Sequence, residues 1–146
     1  MQLGAEVDLS RARLEESRGS GLSAFAATAR LTDVAIEHVR ESECAAVGCP
    51  VPLGVGIGSY ADAAVTVTRF LVRDTDLCGV HLASGGGVDL HDGEVSENPL
   101  GACIDAEGYD LDRLTDGVRY RDNELNLQST SLPLPAVPDD FRNLDE

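Results

Sequence analysis

A short motif recurs five times along this chain: a hydrophobic residue, an acid two places later, and then a small polar residue. A glycine or an asparagine usually comes within a few residues after it. The five acids are separated by 25, 33, 23 and 25 residues, and they are Glu16, Glu41, Asp74, Glu97 and Asp122. Self-similarity at a period of about 20 to 50 residues is typical of solenoid folds. The repeat therefore constrains the architecture of the chain far more than its function.

Short apolar runs with alternating spacing lie within each repeat, and they predict strands because alternation places every second side chain on one face. Three sets of inward residues are expected in each repeat. The first set is Leu22/Ala24, Val55/Ile57, Val80/Leu82 and Ala102/Ile104; the second is Val7/Leu9, Ala29/Leu31, Val65/Val67, Val88/Leu90 and Tyr109/Leu111; the third is Leu14, Val39 with Ile36, Val72 with Phe70, Val95, and Val118/Tyr120. Three short strands per turn, stacked at about 4.8 Å on the next turn, are the geometry of a parallel β-helix.

The most complete copies of the repeat run from Cys78 through Val88-Asp89-Leu90 to Gly101, and the next copy ends at Asn126. In these residues the chain resembles right-handed parallel β-helix repeat proteins of the pectin-lyase-like superfamily, in particular the tandem-repeat members of bacterial envelope and secreted proteins. The resemblance covers roughly residues 4 to 130. It implies an all-β, right-handed parallel β-helix solenoid of about five coils. It implies no particular activity, because this superfamily includes lyases, hydrolases, adhesins and spacers.

Two segments depart from the repeat, which we assign to residues 1–130. Residues 43–53 are a predicted loop insertion, in which Cys44 and Cys49 are candidates for a disulfide. Residues 131–146 form a Pro-rich C-terminal cap or tail, because proline cannot donate to a sheet ladder. At the other end the chain is already in mid-coil at Val7, with no capping element before it. We expect this N-terminal coil to stack on upstream repeats or on another chain, as in the C-terminal part of a longer β-helix.

The charge balance excludes several classes of partner. The net charge is −15 and there is no lysine, so the clustered cations that bind nucleic acids or anionic membranes are lacking. No run of about 18 apolar residues predicts a membrane span, and no signal peptide is visible in the first residues. The expected location, extracellular or in the cell envelope of a bacterium, comes from the resemblance.

The five acids are expected to form one column along the solenoid, about 4.8 Å apart, where like charges repel. Pairing with the neighbouring Arg18, Arg40, Arg73 and Arg121 is the economical solution. Calcium is the less favoured alternative, because no compact acidic loop supplies the roughly six to eight oxygens that it needs. The next residues along are expected to form an internal ladder of turn hydrogen bonds. They are Ser17, Ser42, Thr75, Asn98 and Asn123.

The best local cluster for binding combines Asp89 and His91 with Asp110 and Asp112 on the next coil. Aligning Val88-Asp89-Leu90 with Tyr109-Asp110-Leu111 makes Asp89 and Asp110 outward neighbours, an arrangement that resembles a glycosidase pair. Charged residues are common on the outside of any solenoid, so a solvated face is the simpler interpretation. We assign no catalytic residue and no cofactor. The three histidines lack metal-ligand spacing, so no metal site is assigned either.

Cys78 and Cys103 lie one coil apart but are offset by three positions of the repeat, so the sequence leaves open whether they form a disulfide. Taken together, these patterns predict a structural or binding rod segment of a secreted or cell-envelope protein, with a polysaccharide or a cell-surface molecule as partner. The sequence leaves the enzyme question open and favours a non-enzyme. The alternative is a fragment of a carbohydrate-active enzyme, either a polysaccharide lyase or a glycoside hydrolase.

Overall fold

The chain is all-β, as the sequence predicts, and forms a parallel β-solenoid of about five turns. The structure, a computed structural model, describes residues 4–41 and 54–129. One five-stranded parallel sheet has the order β1-β3-β5-β7-β9, and the other has the order β10-β8-β6-β4-β2. The elements are β1 Glu6–Glu15, β2 Ser20–Phe25, β3 Thr28–Val39, β4 Val55–Tyr60, β5 Ala64–Thr75, β6 Cys78–Ala83, β7 Gly87–Ser96, β8 Leu100–Asp105, the 3₁₀-helix η1 Leu111–Leu114, β9 Asp116–Arg121 and β10 Leu125–Ser129.

Each long odd-numbered strand from β1 to β7 turns a corner in its middle. The residue at the corner has a positive φ, a conformation that redirects the chain and that glycine adopts most easily. We call the strand segments before this corner (6–10, 28–32, 64–68 and 87–91) the first face, the segments after it the second face, and the even-numbered strands the third face. The corner residues are stacked and carry alternating charges up to the final glycine: Arg11, Asp33, Arg69, Asp92 and Gly117.

A second corner separates the second face from the third, and it corrects the predicted acid column. Glu15 pairs with Glu37, so His38 lies opposite Glu16, and Glu41 falls three residues further along. Histidine fits because Asn, Asp and His tolerate positive φ better than other non-glycine residues do. All five residues in the observed column have positive φ, and they are Glu16, His38, Asp74, Glu97 and Asp122.

The inward residues of the first face match the prediction. Ala29, Val65 and Val88 lie in one register, and each is 1 % exposed or less. On the second face Ile36, and not Val39, stacks between Leu14 and Val72. On the third face the register of the second coil differs from the prediction. Ile57, and not Val55, stacks on Leu22, and Val55 instead lies in a separate buried cluster with Cys78 and Cys103.

The fifth coil differs from the other four. The predicted strand pair Tyr109/Leu111 is wrong, because Leu111 begins the η1 helix and is 45 % exposed. Leu114, at the other end of η1, enters the core in its place and is fully buried. The spacing between corners is 23 residues from Arg69 to Asp92 and 25 from Asp92 to Gly117, so the turn that contains η1 is two residues longer.

The predicted insertion 43–53 and the predicted tail 131–146 lie outside the described residues. The chain positions that border the insertion can still be compared with the next coil. Asp76 N donates to Val39 O, and Leu77 N donates to Gly54 O. Consecutive residues of the third coil therefore bond to Val39 and to Gly54, which lie 15 residues apart in the sequence.

Candidate functional site

The η1 helix changes the arrangement of the predicted cluster on the first face. Asp89 lies on β7 and receives two hydrogen bonds from Arg113 of η1, at 2.7 and 2.8 Å. Asp110 caps η1 by accepting a hydrogen bond from Asp112 N, at 3.0 Å. The predicted alignment of Asp89 with Asp110 is therefore wrong, because the 3₁₀ turn brings an arginine to the position where the second acid was expected.

His91, the last residue of the predicted cluster, also has a partner of its own. Its Nδ1 lies 2.7 Å from Oδ2 of Asp116 on the neighbouring strand β9. Arg113 also lies over the ring of Tyr109, 5.0 Å from the ring centroid. The guanidinium beside Asp89 lowers the pKa of that carboxyl, although partial burial opposes the shift. Asp89 is thus held by Arg113, His91 lies against Asp116, and Asp110 caps η1.

Ion pairs between successive coils are the main feature of the first and second faces and of their corners. Arg69 binds Asp33 at 2.7 Å across one coil boundary, and Arg121 binds Glu94 at 3.0 Å across another. These pairs join residues about one coil apart in the chain, so each one holds two turns of the solenoid in register. Individual exposed ion pairs contribute little to stability, but a network at fixed geometry contributes more.

Glu37 is the one buried carboxylate of this network, and the sequence pattern did not single it out. Its side chain is 3 % exposed, and it accepts from Arg13 of the coil before at 2.6 Å and pairs with Arg73 of the coil after at 2.9 Å. Burial opposes ionisation, but the hydrogen bond from Arg13 and the charges of both guanidinium groups lower the pKa of Glu37. A buried, doubly paired acid connects three consecutive coils.

The observed corner column is also paired, as the sequence predicts for stacked acids. Asp74 accepts from Arg40 at 2.6 Å, and His38 Nδ1 lies 2.6 Å from the same carboxylate oxygen. The hydrogen bond from Arg40 is the main reason why the pKa of Asp74 falls to about 2, while partial burial acts in the opposite direction. A single carboxylate thus holds an arginine and a histidine of the preceding coil.

The residues after the corner form the internal ladder that the sequence predicts, from the third coil onward. Asn98 Oδ1 accepts from both the backbone N and the hydroxyl of Thr75, at 3.0 and 2.9 Å. Asn123 Oδ1 accepts in the same way from the backbone N and the side chain of Asn98, at 3.0 and 3.1 Å. In the second coil the position belongs to Val39, which is in register with Thr75. Ser42 lies outside the described residues.

The outward side of the third face is unusually buried. Cys78 of β6 and Cys103 of β8 form a disulfide with a Cα–Cα distance of 6.1 Å. Cys103 is in register with His81, so the bond runs diagonally across the three-residue offset that the sequence shows. The hydroxyl of Tyr60 lies 2.9 Å from Nδ1 of His81, and burial raises the pKa of Tyr60 and lowers that of His81. Cys44 and Cys49 lie outside the described residues.

A shallow depression of about 550 Å³ lies on the second face, around the corner that separates it from the first. Two glycines create it, because Gly93 leaves room for the ring of Phe70 and Gly117 leaves room for Asp92. Asp92, Glu94 and Arg119 supply its polar groups. The depression is open and holds two carboxylates of β7 beside a guanidinium of β9.

The two ends of the first face differ in how the outermost strand is covered. At the C-terminal end, Tyr109 Oη accepts from Val88 N at 2.9 Å and donates to Val88 O at 2.7 Å, so it replaces a neighbouring strand. At the N-terminal end, β1 is the outermost strand of its sheet. Among the described residues nothing pairs with the outer side of β1, and its inward residues Leu9 and Leu14 are only half-buried. An unpaired strand edge is a template for further pairing.

Comparisons with known proteins do not identify this chain: no family model, no curated protein and no solved structure matches it. Over residues 4–41 and 54–129, no group of three or more His, Cys, Asp or Glu is placed to hold a metal ion. In the same part of the chain, no helix has the length and apolar character needed to cross a membrane. The candidate sites are therefore the open edge of β1 and the depression beside Gly93.

Proposed function

We propose that this chain is a structural β-solenoid rod, which presents its outer surface to a partner and does not act as an enzyme. The observation that carries the proposal is that charged side chains of one coil pair with those of another. Asp89, Asp74 and Glu37 each bind a guanidinium of another coil, so their carboxylates stabilise the stacking of coils and are already engaged. A catalytic pair of carboxylates, by contrast, must face the substrate with matched protonation states.

The proposal extends to the compartment. The disulfide between Cys78 and Cys103 supports an oxidising environment, since disulfides persist outside the cytosol and are rare within it. The rod would then work extracellularly or in a bacterial cell envelope, and its partner would be a polysaccharide or another cell-surface molecule. The acidic surface is unsuited to nucleic acid.

The open edge of β1 gives the rod a surface on which more solenoid can stack. Its half-buried apolar residues and unpaired backbone fit a further parallel or antiparallel strand. We include in the proposal that this coil stacks on more solenoid, whether upstream repeats or another chain. The closed first face at the other end supports growth from the N-terminal side in particular.

A carbohydrate-active enzyme is the second candidate, and the depression on the second face favours it. Asp92 and Glu94 lie there beside Arg119. Glycoside hydrolases use a pair of carboxylates, and polysaccharide lyases of this kind of fold add a basic residue. Against it, Glu94 also pairs with Arg121 at 3.0 Å. The depression is therefore better suited to holding a sugar than to cleaving one.

A product assay separates the two candidates. The chain is incubated with pectin-, alginate- and glucan-type polymers, and new reducing or unsaturated ends are measured. The rod proposal predicts no new ends. Ends that appear with the wild type and disappear in Asp92→Asn and Glu94→Gln would establish the enzyme. Asp89→Asn is the matched control, because it removes an outward carboxylate of the same strand β7 that lies outside the depression.

A further inference from the structure

The open edge of β1 presents a defined set of backbone groups. Ala5 O accepts from Thr28 N, so Ala5 points toward β3, and alternation along the strand turns Glu6 and Asp8 away from it. Glu16 N donates to Glu37 O on β3, so Glu15 and, two residues earlier, Arg13 also point away. By the same alternation Ser10 points away as well, so five residues offer their N–H and C=O groups to a new strand, and four of them are charged, two on each side of the corner at Arg11.

These four residues are self-complementary in an antiparallel arrangement. If two β1 strands run antiparallel with Ser10 of each copy opposite Arg11 of the other, Glu6 lies opposite Glu15 and Asp8 lies opposite Arg13 of the other copy. All four then form the closely spaced hydrogen-bonded pairs of an antiparallel ladder. The side-chain alternation of β1 shifts by one residue at the corner. Because of this shift, the inward residues of one copy lie opposite the inward residues of the other. The apolar pairs are Val7 with Leu14 and Leu9 with Ala12.

The charges agree with the same register. The side chains of Asp8 and Arg13 are 78 % and 64 % exposed. Arg13 binds Glu15 through Nε and Glu37 through Nη2, so its Nη1 is the group that would reach Asp8 of a second copy. Opposite charges on directly opposed residues stabilise a strand pair, and like charges destabilise it. The Glu6–Glu15 pairs lie at the two solvated ends, where Arg13 of the same chain already pairs with Glu15.

We propose that the N-terminal edge of this chain binds a second copy of itself, head to head, through antiparallel pairing of the two β1 strands, with Ser10 of each copy opposite Arg11 of the other. This inference rests on the proposed stacking function and names its partner. Head-to-tail stacking is disfavoured because the first face of the C-terminal end is taken by Tyr109 and η1. Such a pair is closed by its two-fold symmetry and does not grow into a fibre.

Charge reversal tests the register. The 146-residue chain is measured by sedimentation equilibrium from micromolar to submillimolar concentration, as wild type and as Asp8→Arg and Arg13→Asp. Each single variant places like charges opposite each other in its own dimer, and we expect its association to weaken by about tenfold or more. An equimolar mixture of the two variants restores both opposite-charge pairs, so it should form a heterodimer.

Two more variants keep the test independent of effects on folding, since Arg13 also binds Glu37. Leu9→Arg places a charge in the apolar part of the edge and should abolish dimerisation. Leu125→Arg changes an exposed leucine of β10, at the other end of the rod, and should leave dimerisation unchanged. Circular dichroism checks that each variant is folded.

A wild type that stays monomeric at every concentration overturns the dimer. So does association that survives both charge reversals, or association that Leu125→Arg abolishes, which would indicate head-to-tail stacking. None of these outcomes produces new polysaccharide ends, so failure of the dimer is distinguishable from failure of the rod proposal.

Discussion

At the C-terminal end of the first face, Tyr109 binds the backbone of Val88 and Leu114 fills the core, whereas at the N-terminal end β1 has neither kind of cover among the described residues. The two strands that end this face, β1 and β7, have similar alternating sequences. The difference therefore comes from the residues that the chain adds after the last strand. A solenoid end is closed by a few side chains that satisfy backbone groups and fill a core position, and not by the strand itself.

Replacing a core leucine by alanine at each end should give the largest difference between the two ends in the free energy of unfolding. Leu114→Ala removes a fully buried side chain and should lower the free energy of unfolding by about 2–5 kcal/mol. Leu14→Ala removes a half-buried side chain at the open end and should cost only about 1 kcal/mol. Urea unfolding at low protein concentration, where chains are dissociated, checks both. Equal losses would show that the two ends are equally closed.

Glu15 and Glu37 lie in register on neighbouring strands, so they compare the outermost strand with the strand next to it. Glu37→Gln removes a buried carboxylate that binds two arginines, and it should cost about 1.5–3 kcal/mol, the range for hydrogen bonds to charged groups. Glu15→Gln, one coil earlier on the outermost strand, removes a partly exposed acid and should change stability by less than about 0.5 kcal/mol. The same unfolding experiment applies. A loss for Glu15→Gln as large as that for Glu37→Gln would contradict the account.

Acid titration of the unfolding midpoint tests the contacts of Asp74, which lies between stacked coils in the middle of the rod. Because the pKa of Asp74 is about 2 in the folded chain and 3.8 is its ordinary value, the unfolded chain binds the proton more readily. The stabilisation from Asp74 is therefore complete above about pH 4 and is lost as the pH falls toward 2. Asp74→Asn should remove this part of the pH dependence of the unfolding midpoint. An unchanged pH profile in the variant would show that the Arg40 and His38 contacts do not stabilise the fold.

The regular parts of the solenoid could be predicted from the sequence because they repeat at one spacing. Val65 and Val88, like Asn98 and Asn123, occupy equivalent positions that a simple alignment of coils finds. Residues at equivalent positions of successive coils stack directly on one another, so the repeat alone predicts where they lie.

The second and fifth coils could not be predicted in the same way. Alignment on acids chose Glu41, but the corner selects residues that tolerate a positive φ, and His38 does so as well as an aspartate. On the third face of the same coil, Ile57 occupies the register position that the alignment gave to Val55. In the fifth coil, a 3₁₀ turn with Asp110 as its cap replaced a strand, and the sequence signal was only the spacing of Leu111 and Leu114.

Amide hydrogen exchange tests the central claim most directly, measured by NMR on the Asp8→Arg variant at a concentration where it is monomeric. If the coils are stacked in parallel and the first face is closed at its C-terminal end, exchange should be slow in β5 and at Val88, whose N–H binds Tyr109. If the first face is open at its N-terminal end, exchange should be fast at Glu6 and residue 8, whose N–H groups point away from β3. In Tyr109→Phe, exchange at Val88 should become fast. Exchange at Val88 that is as fast as at Glu6 in the parent, or that is unchanged by Tyr109→Phe, would contradict the account.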